Sequence, residues 1–426
     1  MSAVASVFYE PDVKRDTEDS DNLVYWDGEK ESAQSTCDQS LPGVLYTGIC
    51  SSRSNFFAAP PRKGIFLDLI DSLLHSGTAS SVSQASDNPL QDETPISTGE
   101  GVQRFFTTEL VGRLCDEVKA VLEGEKVLLN IQVEQNETLV VVGDIHGHFN
   151  DLIYHILPEQ SDKKLNFDGS DRKFLFMGDF VDRGPCGVEV VMLLFALKVE
   201  YPQLIYMLRG NHEDPHISSI YGFFNEVRAK FGCDAPWVCF NEVFRYLPLA
   251  AVVTTPRIRF FATHGGLSPP LLESFDIIKT IERLDYGGAL DSVLSEVVGG
   301  LLWSDPTDMT EYFARNMRGC GYMFGPQASQ KFCQMNQFDF ICRAHQVVSE
   351  GYEWCHDNKA LTVFSVPNYC GFSENLGAIM IVQVLGSDEE KEELRFKQFS
   401  SAAEVDEYLP YLVKTCGEFV FSAFMD

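Results

Sequence analysis

Five short apolar runs along the chain have the length and composition of buried β-strands. Each run is five or six residues long and rich in Val, Ile, Leu and Phe. They are residues 138–142, 173–177, 203–208, 258–263 and 338–342. Residues 187–201 and 214–232 separate some of these runs and have the length and composition of helices. Strand runs that alternate with helical stretches predict an α/β fold.

A short polar motif accompanies the end of each apolar run. The motifs are GDIHGH (143–148), GDFVDRG (178–184), RGNHE (209–213), HGG (264–266) and RAHQ (343–346). Catalytic residues are commonly carried on loops that a rigid scaffold positions. We therefore interpret the five motifs as one active site that is assembled from loops at strand ends.

The motif side chains are ligands that borderline divalent metals accept, namely carboxylates, an amide oxygen and imidazoles. They are Asp144, His146, Asp179, Asn211, His264 and His345. Six such ligands exceed what one four-coordinate site with an open position uses, so the set indicates two ions with a bridging carboxylate. Two adjacent ions can lower the pKa of a shared water and hold a phosphate. The motifs therefore predict phosphoester hydrolysis.

Other motif residues have the chemistry that the remaining roles require. Arg183 and Arg318 carry guanidinium groups, which suit phosphate oxygens and stay charged at any working pH. His212, next to the predicted ligand Asn211, could protonate the departing alkoxide, with Asp182 orienting its ring.

From about Thr107 to about Phe399 the chain resembles the catalytic subunits of serine/threonine protein phosphatases of the phosphoprotein phosphatase family. The resemblance also rests on HGGLSP (264–269), LLWSDP (301–306) and GYEWCHDNKALTVFSVPNYCG (351–371), which occur in the family's order. Within the family, the last of these segments and YGFFNEVRAKFG (221–232) are nearer to type 2A-like members than to calcineurin.

The resemblance implies a metallophosphoesterase four-layer sandwich, in which two central mixed β-sheets are flanked by helices. It implies that Asp144, His146 and Asp179 hold one metal, and that Asp179 bridges to a second. The second metal would be held also by the remaining ligands, Asn211, His264 and His345. It further implies His212 as general acid oriented by Asp182, a phosphate clamp of Arg183 and Arg318, and Tyr369 at the mouth of the cleft. The implied reaction is direct attack on phosphoserine or phosphothreonine by a hydroxide that two ions activate, and manganese, or iron and zinc, suit these ligands.

Charge and composition divide the chain into three parts. Residues 1–102 form an acidic, Ser-rich N-terminal extension that we predict to be mostly disordered, because its first 100 residues hold sixteen Asp or Glu against six Lys or Arg. Residues 103–400 are the predicted catalytic domain, and 401–426 are a C-terminal tail. Within the extension, residues 64–76 place Phe66, Leu69, Ile70 and Leu73 on one stripe of a short helix. This helix either docks on the catalytic domain or a partner, or is an incidental amphipathic turn.

Two other classes of function stay open from the sequence. The ligand motifs alone do not specify which phosphoester is hydrolysed. The alternative is therefore a metallophosphoesterase that acts on nucleotides or other small phosphoesters. A third interpretation is a catalytically silent scaffold that binds partners. The formal net charge of −29 argues against nucleic acid or an anionic membrane as partner. We expect phosphoprotein substrates and regulatory or scaffold subunits as partners, and a cytoplasmic or nuclear location, because no apolar run is long enough to span a bilayer or resembles a signal peptide.

Overall fold

The computed structural model describes residues 64, 66–76, 106–157, 171–283, 292–385 and 392–402. The predicted disorder of the acidic extension, apart from one helix, lies outside these residues, as does nearly all of the C-terminal tail. Among the described helices, none is both long and apolar enough to cross a membrane.

Nine α-helices occur in the described residues. They are α1 (Leu67–Ser76), α2 (Thr108–Glu123), α3 (Phe149–Asp151), α4 (Gly187–Glu200), α5 (Pro215–Ile220), α6 (Phe223–Phe231), α7 (Ala235–Phe244), α8 (Ser292–Trp303) and α9 (Pro326–Asn336). A π-helical turn, Leu152–Ile156, continues α3, and 3-10 segments span Pro269–Leu272, Phe275–Thr280 and Tyr369–Gly371.

The described strands form three sheets. They are β1 (Leu128–Gln132), β2 (Thr138–Val142), β3 (Arg172–Phe176), β4 (Ile205–Met207), β5 (Ala250–Thr254), β6 (Arg259–Thr263), β7 (Asp305–Pro306), β8 (Phe313–Arg315), β9 (Tyr322–Phe324), β10 (Ile341–Arg343), β11 (Tyr352–Cys355), β12 (Ala360–Val363), β13 (Gly377–Val384) and β14 (Glu392–Phe399). The first sheet has the order β1-β5-β6-β10-β12-β11, the second β14-β13-β2-β3-β4, and the small third sheet β7-β9-β8. The two large sheets are mixed, because each contains parallel and antiparallel pairs.

Side-chain alternation stacks these elements into four layers. Along β2, Val140 and Val142 belong to a core shared with α1, α2 and α4, whereas Leu139 and Val141 belong to a core between the two large sheets. This is the period of two that a strand buried on both faces imposes. On its other face the first sheet packs Phe261 against residues of α8 and α9. The predicted sandwich of two mixed sheets flanked by helices is therefore confirmed.

The amphipathic segment of residues 64–76 contains helix α1, which packs into the same core as α2 and α4. The four predicted stripe residues are at most 3% exposed and lie in the same core as α2 and α4. The Glu200 carboxylate at the end of α4 accepts the backbone N–H of Gly64 and, at 2.7 Å, that of Phe66. Burial of each large apolar side chain contributes about 1.5–3 kcal/mol. The docking alternative is thus the observed one, although the helix precedes the predicted domain boundary at 102.

Two predicted elements differ in detail from the structure. The helical stretch 214–232 is two helices, α5 and α6, because Gly222 between them adopts a φ of +131°, which interrupts the helix. The Tyr221 carbonyl at this break accepts the backbone N–H of Arg183 (3.2 Å). The apolar run 338–342 is a strand only from Ile341. The helix break at Gly222 and this shortened strand both lie next to motif loops.

Candidate active site

The five motifs converge because the strands that precede them run parallel. β2, β3 and β4 are parallel neighbours in the second sheet, and β6 is parallel to β10 in the first. Parallel strands present their carboxyl ends at one edge of a sheet. The motif loops of both sheets therefore meet at one place, where all six predicted ligand side chains are at most 9% exposed.

The motif backbones are strained at the residues that carry chemistry. His146, Asp179, Asp182, Arg183 and His345 all have φ between +43° and +70°. A non-glycine residue in this region costs on the order of 1–3 kcal/mol, and such residues cluster at functional sites. The surrounding sheets hold these loops in a conformation that an isolated segment would avoid.

Glycine is required where two of the loops touch. A Cβ on Gly178 would lie 2.3 Å from the Gly210 nitrogen, and a Cβ on Gly210 would lie 2.2 Å from Asp179 Oδ1. Both contacts are far inside van der Waals distance. Only a side chain of hydrogen at each position lets the GDFVDRG and RGNHE loops approach closely enough to share a site.

Four ligand atoms converge at the side of the site next to the first sheet. His264 Nε2 lies 2.9 Å from Asn211 Oδ1, 3.2 Å from His345 Nδ1 and 3.2 Å from Asp179 Oδ2. His264 Nδ1 donates to the carbonyl of Met177 at 3.1 Å, so in the neutral ring Nε2 carries a lone pair. Lone pairs directed at one another in a buried space suit a shared cation.

A second group lies on the other side of Asp179. His146 Nε2 is 3.5 Å from Asp179 Oδ2 and 3.6 Å from Asp144 Oδ2. His146 Nδ1 donates to the carbonyl of Val181 at 2.8 Å, which again leaves Nε2 as the lone-pair atom. Asp179 Oδ2 thus faces both groups, the placement that a bridging ligand needs.

The charges of the site also fit cations. Burial disfavours a charge on His146, yet Asp144 and Asp179 outweigh it and raise its pKa to about 9. Burial likewise opposes ionisation of Asp179, but the facing histidines hold the pKa of that carboxyl well below its usual value. Burial, together with His264, holds the pKa of His345 well below its usual value, which favours the neutral ring that a metal ligand must have. The residues present therefore fit two divalent ions, and a bound ion would replace the proton on His146.

His212 lies beside the ligands but is held differently. Its Nδ1 donates to Asp182 Oδ2 at 2.7 Å, and the other carboxylate oxygen of Asp182 accepts the backbone N–H of Phe223 at 2.9 Å. By distance His212 can be grouped with His146 and Asp179 as a possible metal site. We favour its predicted role because the Asp182 carboxylate, whose oxygens hold Nδ1 of His212 and the N–H of Phe223, fixes the ring. Burial lowers the pKa of His212 below its usual value, although Asp179 and Asp182 oppose this.

The predicted phosphate-binding and cleft residues surround this centre. The guanidinium of Arg183 lies 4.2 Å from the centre of the Tyr221 ring. Arg318 Nε donates to Asp305 Oδ2 at 2.7 Å, and its side chain is 40% exposed. The Tyr369 ring is 5.4 Å from that of His146. Burial raises the pKa of Tyr369 well above the usual value for a tyrosine. Tyr369 therefore lies beside His146, Arg183 lies on the ring of Tyr221 that also contacts His212, and Arg318 is close enough to His345 to lower the pKa of that ring.

Two buried carboxylates at the site, Asp305 and Glu213, have contacts that the motifs do not predict. Asp305 Oδ1 accepts Arg343 Nη2 at 3.0 Å while its other oxygen holds Arg318, so Asp305 connects Arg318 to the interior. Glu213 accepts three backbone N–H groups from the motif loops. Both residues lie within recognised motifs, but their roles depend on contacts distant in sequence. Burial and the nearby Asp179 raise the pKa of Glu213 to about 7.

Comparisons with known proteins agree with this geometry. A solved protein serine/threonine phosphatase from Saccharomyces cerevisiae, described as similar to human phosphatase PP5, is 27% identical, with a TM-score of 0.59 over 70% of this chain and 91% of that one. A cold-active protein-tyrosine phosphatase of a Shewanella species is 15% identical, with a TM-score of 0.43 over 62% and 81%. Vps29 of Chaetomium thermophilum is 13% identical, with a TM-score of 0.25 over 62% and 97%. Nothing about function follows from the last two, because their similarity is too low.

The family assignment rests on the sequence itself. The sequence pattern of the family described as calcineurin-like phosphoesterase matches residues 137–349, half of the 426-residue chain. The matched region contains all six predicted metal ligands, His212 and both arginines. The chain belongs to the calcineurin-like phosphoesterase family, whose members use a dimetal centre.

Proposed function

We propose that this protein is a metal-dependent serine/threonine protein phosphatase. The observation that carries the proposal is the 2.7 Å pair of His212 and Asp182 beside the converging ligands of Asp179. It supplies a proton donor next to a metal centre, as hydrolysis of an alkyl phosphoester requires. The yeast structure described as a serine/threonine phosphatase, which covers 70% of this chain, supports the same activity.

The ligands divide between two ions as their distances suggest. Asp144 and His146 would hold one ion, while Asn211, His264 and His345 would hold the other, with Asp179 contributing to both. When bound, the ions would polarise the phosphoryl group and lower the pKa of nearby water. Imidazole and carboxylate ligands suit manganese, or iron and zinc.

The protein's own residues supply the proton and the binding of phosphate. Asp182 accepts Nδ1–H of His212, which leaves Nε2 to donate a proton to the departing serine or threonine oxygen. Arg183 and Arg318 would bind the phosphate oxygens from two sides. Asp305 holds Arg318 through a hydrogen bond to its Nε, and the two terminal nitrogens of the guanidinium would donate to phosphate oxygens. Tyr369 would line the cleft beside His146.

The exposure of the phosphate-binding edge favours a phosphorylated protein over a small phosphoester. Arg318 is 40% exposed and the preceding Met317 is 95% exposed, so this edge is open to a macromolecule. An enclosed pocket is the usual design for small ligands. Nucleotides and other small phosphoesters are the competing substrates.

The proposal is tested by phosphate release from a phosphoserine peptide, with added manganese, by the wild-type protein and by Asp179→Asn. Asp276→Asn is the matched control, because the side chain of Asp276 is 73% exposed and pairs with the exposed Lys279. We expect metal-dependent turnover that Asp179→Asn abolishes and Asp276→Asn preserves. Faster turnover of a dinucleotide polyphosphate than of the peptide would support the small-substrate activity instead, and no turnover of either by a metal-loaded protein would refute both.

The proposal extends to partners and location. The net charge of −29 supports phosphoprotein substrates and regulatory subunits that present basic surfaces. Cysteines of the described residues such as Cys115, Cys333 and Cys342 are free thiols, which supports a reducing cytoplasm or nucleus.

A further inference from the structure

A buried glutamate joins the two loops that carry the bridging ligand and the general acid. Glu213 has no solvent exposure. Its Oε2 accepts the backbone N–H of Asp179 at 2.7 Å and that of Gly210 at 2.8 Å, and its Oε1 accepts the N–H of Phe180 at 2.7 Å. One carboxylate therefore accepts three hydrogen bonds from two loops that are about 30 residues apart in the sequence.

The same two loops are tied in the opposite direction as well. The Asp179 carboxylate accepts the backbone N–H of His212 at 2.9 Å. The carbonyl of Glu213 accepts Arg209 Nε at 2.9 Å, which holds the second loop at its start. A shift of Glu213 would therefore move the backbone of Asp179 and the position of His212 together.

We propose that Glu213 is a positioning residue of the metal centre, which sets the spacing between the bridging ligand Asp179 and the ligand Asn211. The Glu213 carboxylate accepts backbone N–H groups, so it acts on the centre through the backbone. Residues that orient metal ligands typically contribute about 10- to 100-fold to metal affinity. The proposal rests on the proposed function only in assuming that the centre binds metal.

The arrangement requires a carboxylate rather than an amide. Glu213→Gln has nearly the same volume, but one of its two terminal atoms is an NH2 group that donates. That group would face either the N–H of Phe180 or the two N–H groups of Asp179 and Gly210. In each orientation a donor opposes a donor, and the loops must separate.

The chain offers a closely matched control. Glu226 is also buried, and its carboxylate accepts two backbone N–H groups, those of Gly187 at 3.0 Å and Val188 at 2.8 Å, at the start of α4. Glu226→Gln therefore imposes a similar loss of backbone acceptors. Among the described residues, the Glu226 carboxylate bonds to Gly187, Val188 and Lys230 rather than to Asp179 or Asn211.

The test measures manganese binding to the full chain by calorimetry, after removal of metal with a chelator, for the wild type and both variants. The thermal midpoint of each metal-free protein reports folding, and phosphopeptide kinetics of each metal-loaded protein separate kcat from KM. We expect both variants to lower the midpoint of the metal-free protein. Only Glu213→Gln should weaken manganese binding, by at least about tenfold, and lower kcat with KM little changed.

Two results would overturn the proposal. One is manganese affinity of Glu213→Gln within twofold of wild type, and the other is an equal loss of affinity in Glu226→Gln. A wild-type protein that binds manganese but hydrolyses no phosphopeptide would refute the proposed function, and the binding comparison would still decide the role of Glu213.

Discussion

Replacement of Asp182 by Asn tests how the proposed general acid is held. Asp182 is fully buried, and its Oδ2 lies 2.7 Å from Nδ1 of His212. The amide can keep its hydrogen bond with the N–H of Phe223, but its NH2 group would then face the Nδ1 of His212. The charge-assisted hydrogen bond that stabilises the imidazolium is lost, and the pKa of His212, already lowered by burial, falls further.

The size of this effect follows from the lost contact. A hydrogen bond to a charged group contributes about 1.5–3 kcal/mol, and this range corresponds to roughly a 10- to 150-fold loss of kcat. The value of KM for a phosphopeptide should stay nearly unchanged, because Arg183 and Arg318 are untouched.

Two substrates with different leaving groups provide the assay. A phosphoserine peptide releases a poor leaving group that needs protonation, whereas p-nitrophenyl phosphate releases one that needs little. The loss of kcat in Asp182→Asn should therefore be much smaller on p-nitrophenyl phosphate. Equal losses on both substrates, with metal content unchanged, would refute the assignment of His212 as the acid.

Three further predictions concern docking, phosphate binding and metal affinity. Leu73 of α1 is fully buried, so Leu73→Ala should lower the free energy of unfolding by about 2–5 kcal/mol. Leu67 on the same helix is 40% exposed, so Leu67→Ala should change the free energy of unfolding by less than about 0.5 kcal/mol. Denaturant titration measures both values. Arg318→Ala should reduce kcat/KM for a phosphopeptide roughly 10- to 100-fold, since a charged hydrogen bond to phosphate is lost. The control is Arg315→Ala, because Arg315 is also exposed. Similar kinetics for the two variants would contradict the role of Arg318. The pKa of His146 is about 9 in the metal-free site, so metal binding must displace a proton. Manganese affinity should therefore rise by up to about tenfold per pH unit between pH 6 and 8. An affinity that does not depend on pH, without release of a proton, would contradict this.

Local patterns were sufficient for the elements that carry the ligands. The run 138–142 is β2 at both ends, and the helix predicted over 187–201 is α4 to within one residue. Such segments are buried on both faces or all round, so their composition alone reports their environment. The pattern over 214–232 predicts one helix, because a single glycine inside a periodic pattern does not reveal its φ. Gly222 adopts a φ of +131° next to Tyr221, whose carbonyl accepts the backbone N–H of Arg183 from a distant part of the sequence.

Residue type and short-range periodicity are sufficient to predict the α/β class, the candidate ligands and the apolar stripe of α1. Three relations depend instead on the folded chain: Asp179 faces both ligand groups, Asp305 holds Arg318, and Glu213 joins two loops by their backbones. These relations connect residues 13 to 85 positions apart, so no local pattern predicts them. The contacts of Glu213 are the hardest to predict, because every residue except proline has a backbone N–H group. Which N–H groups donate is decided only when the parallel strands bring the loops together.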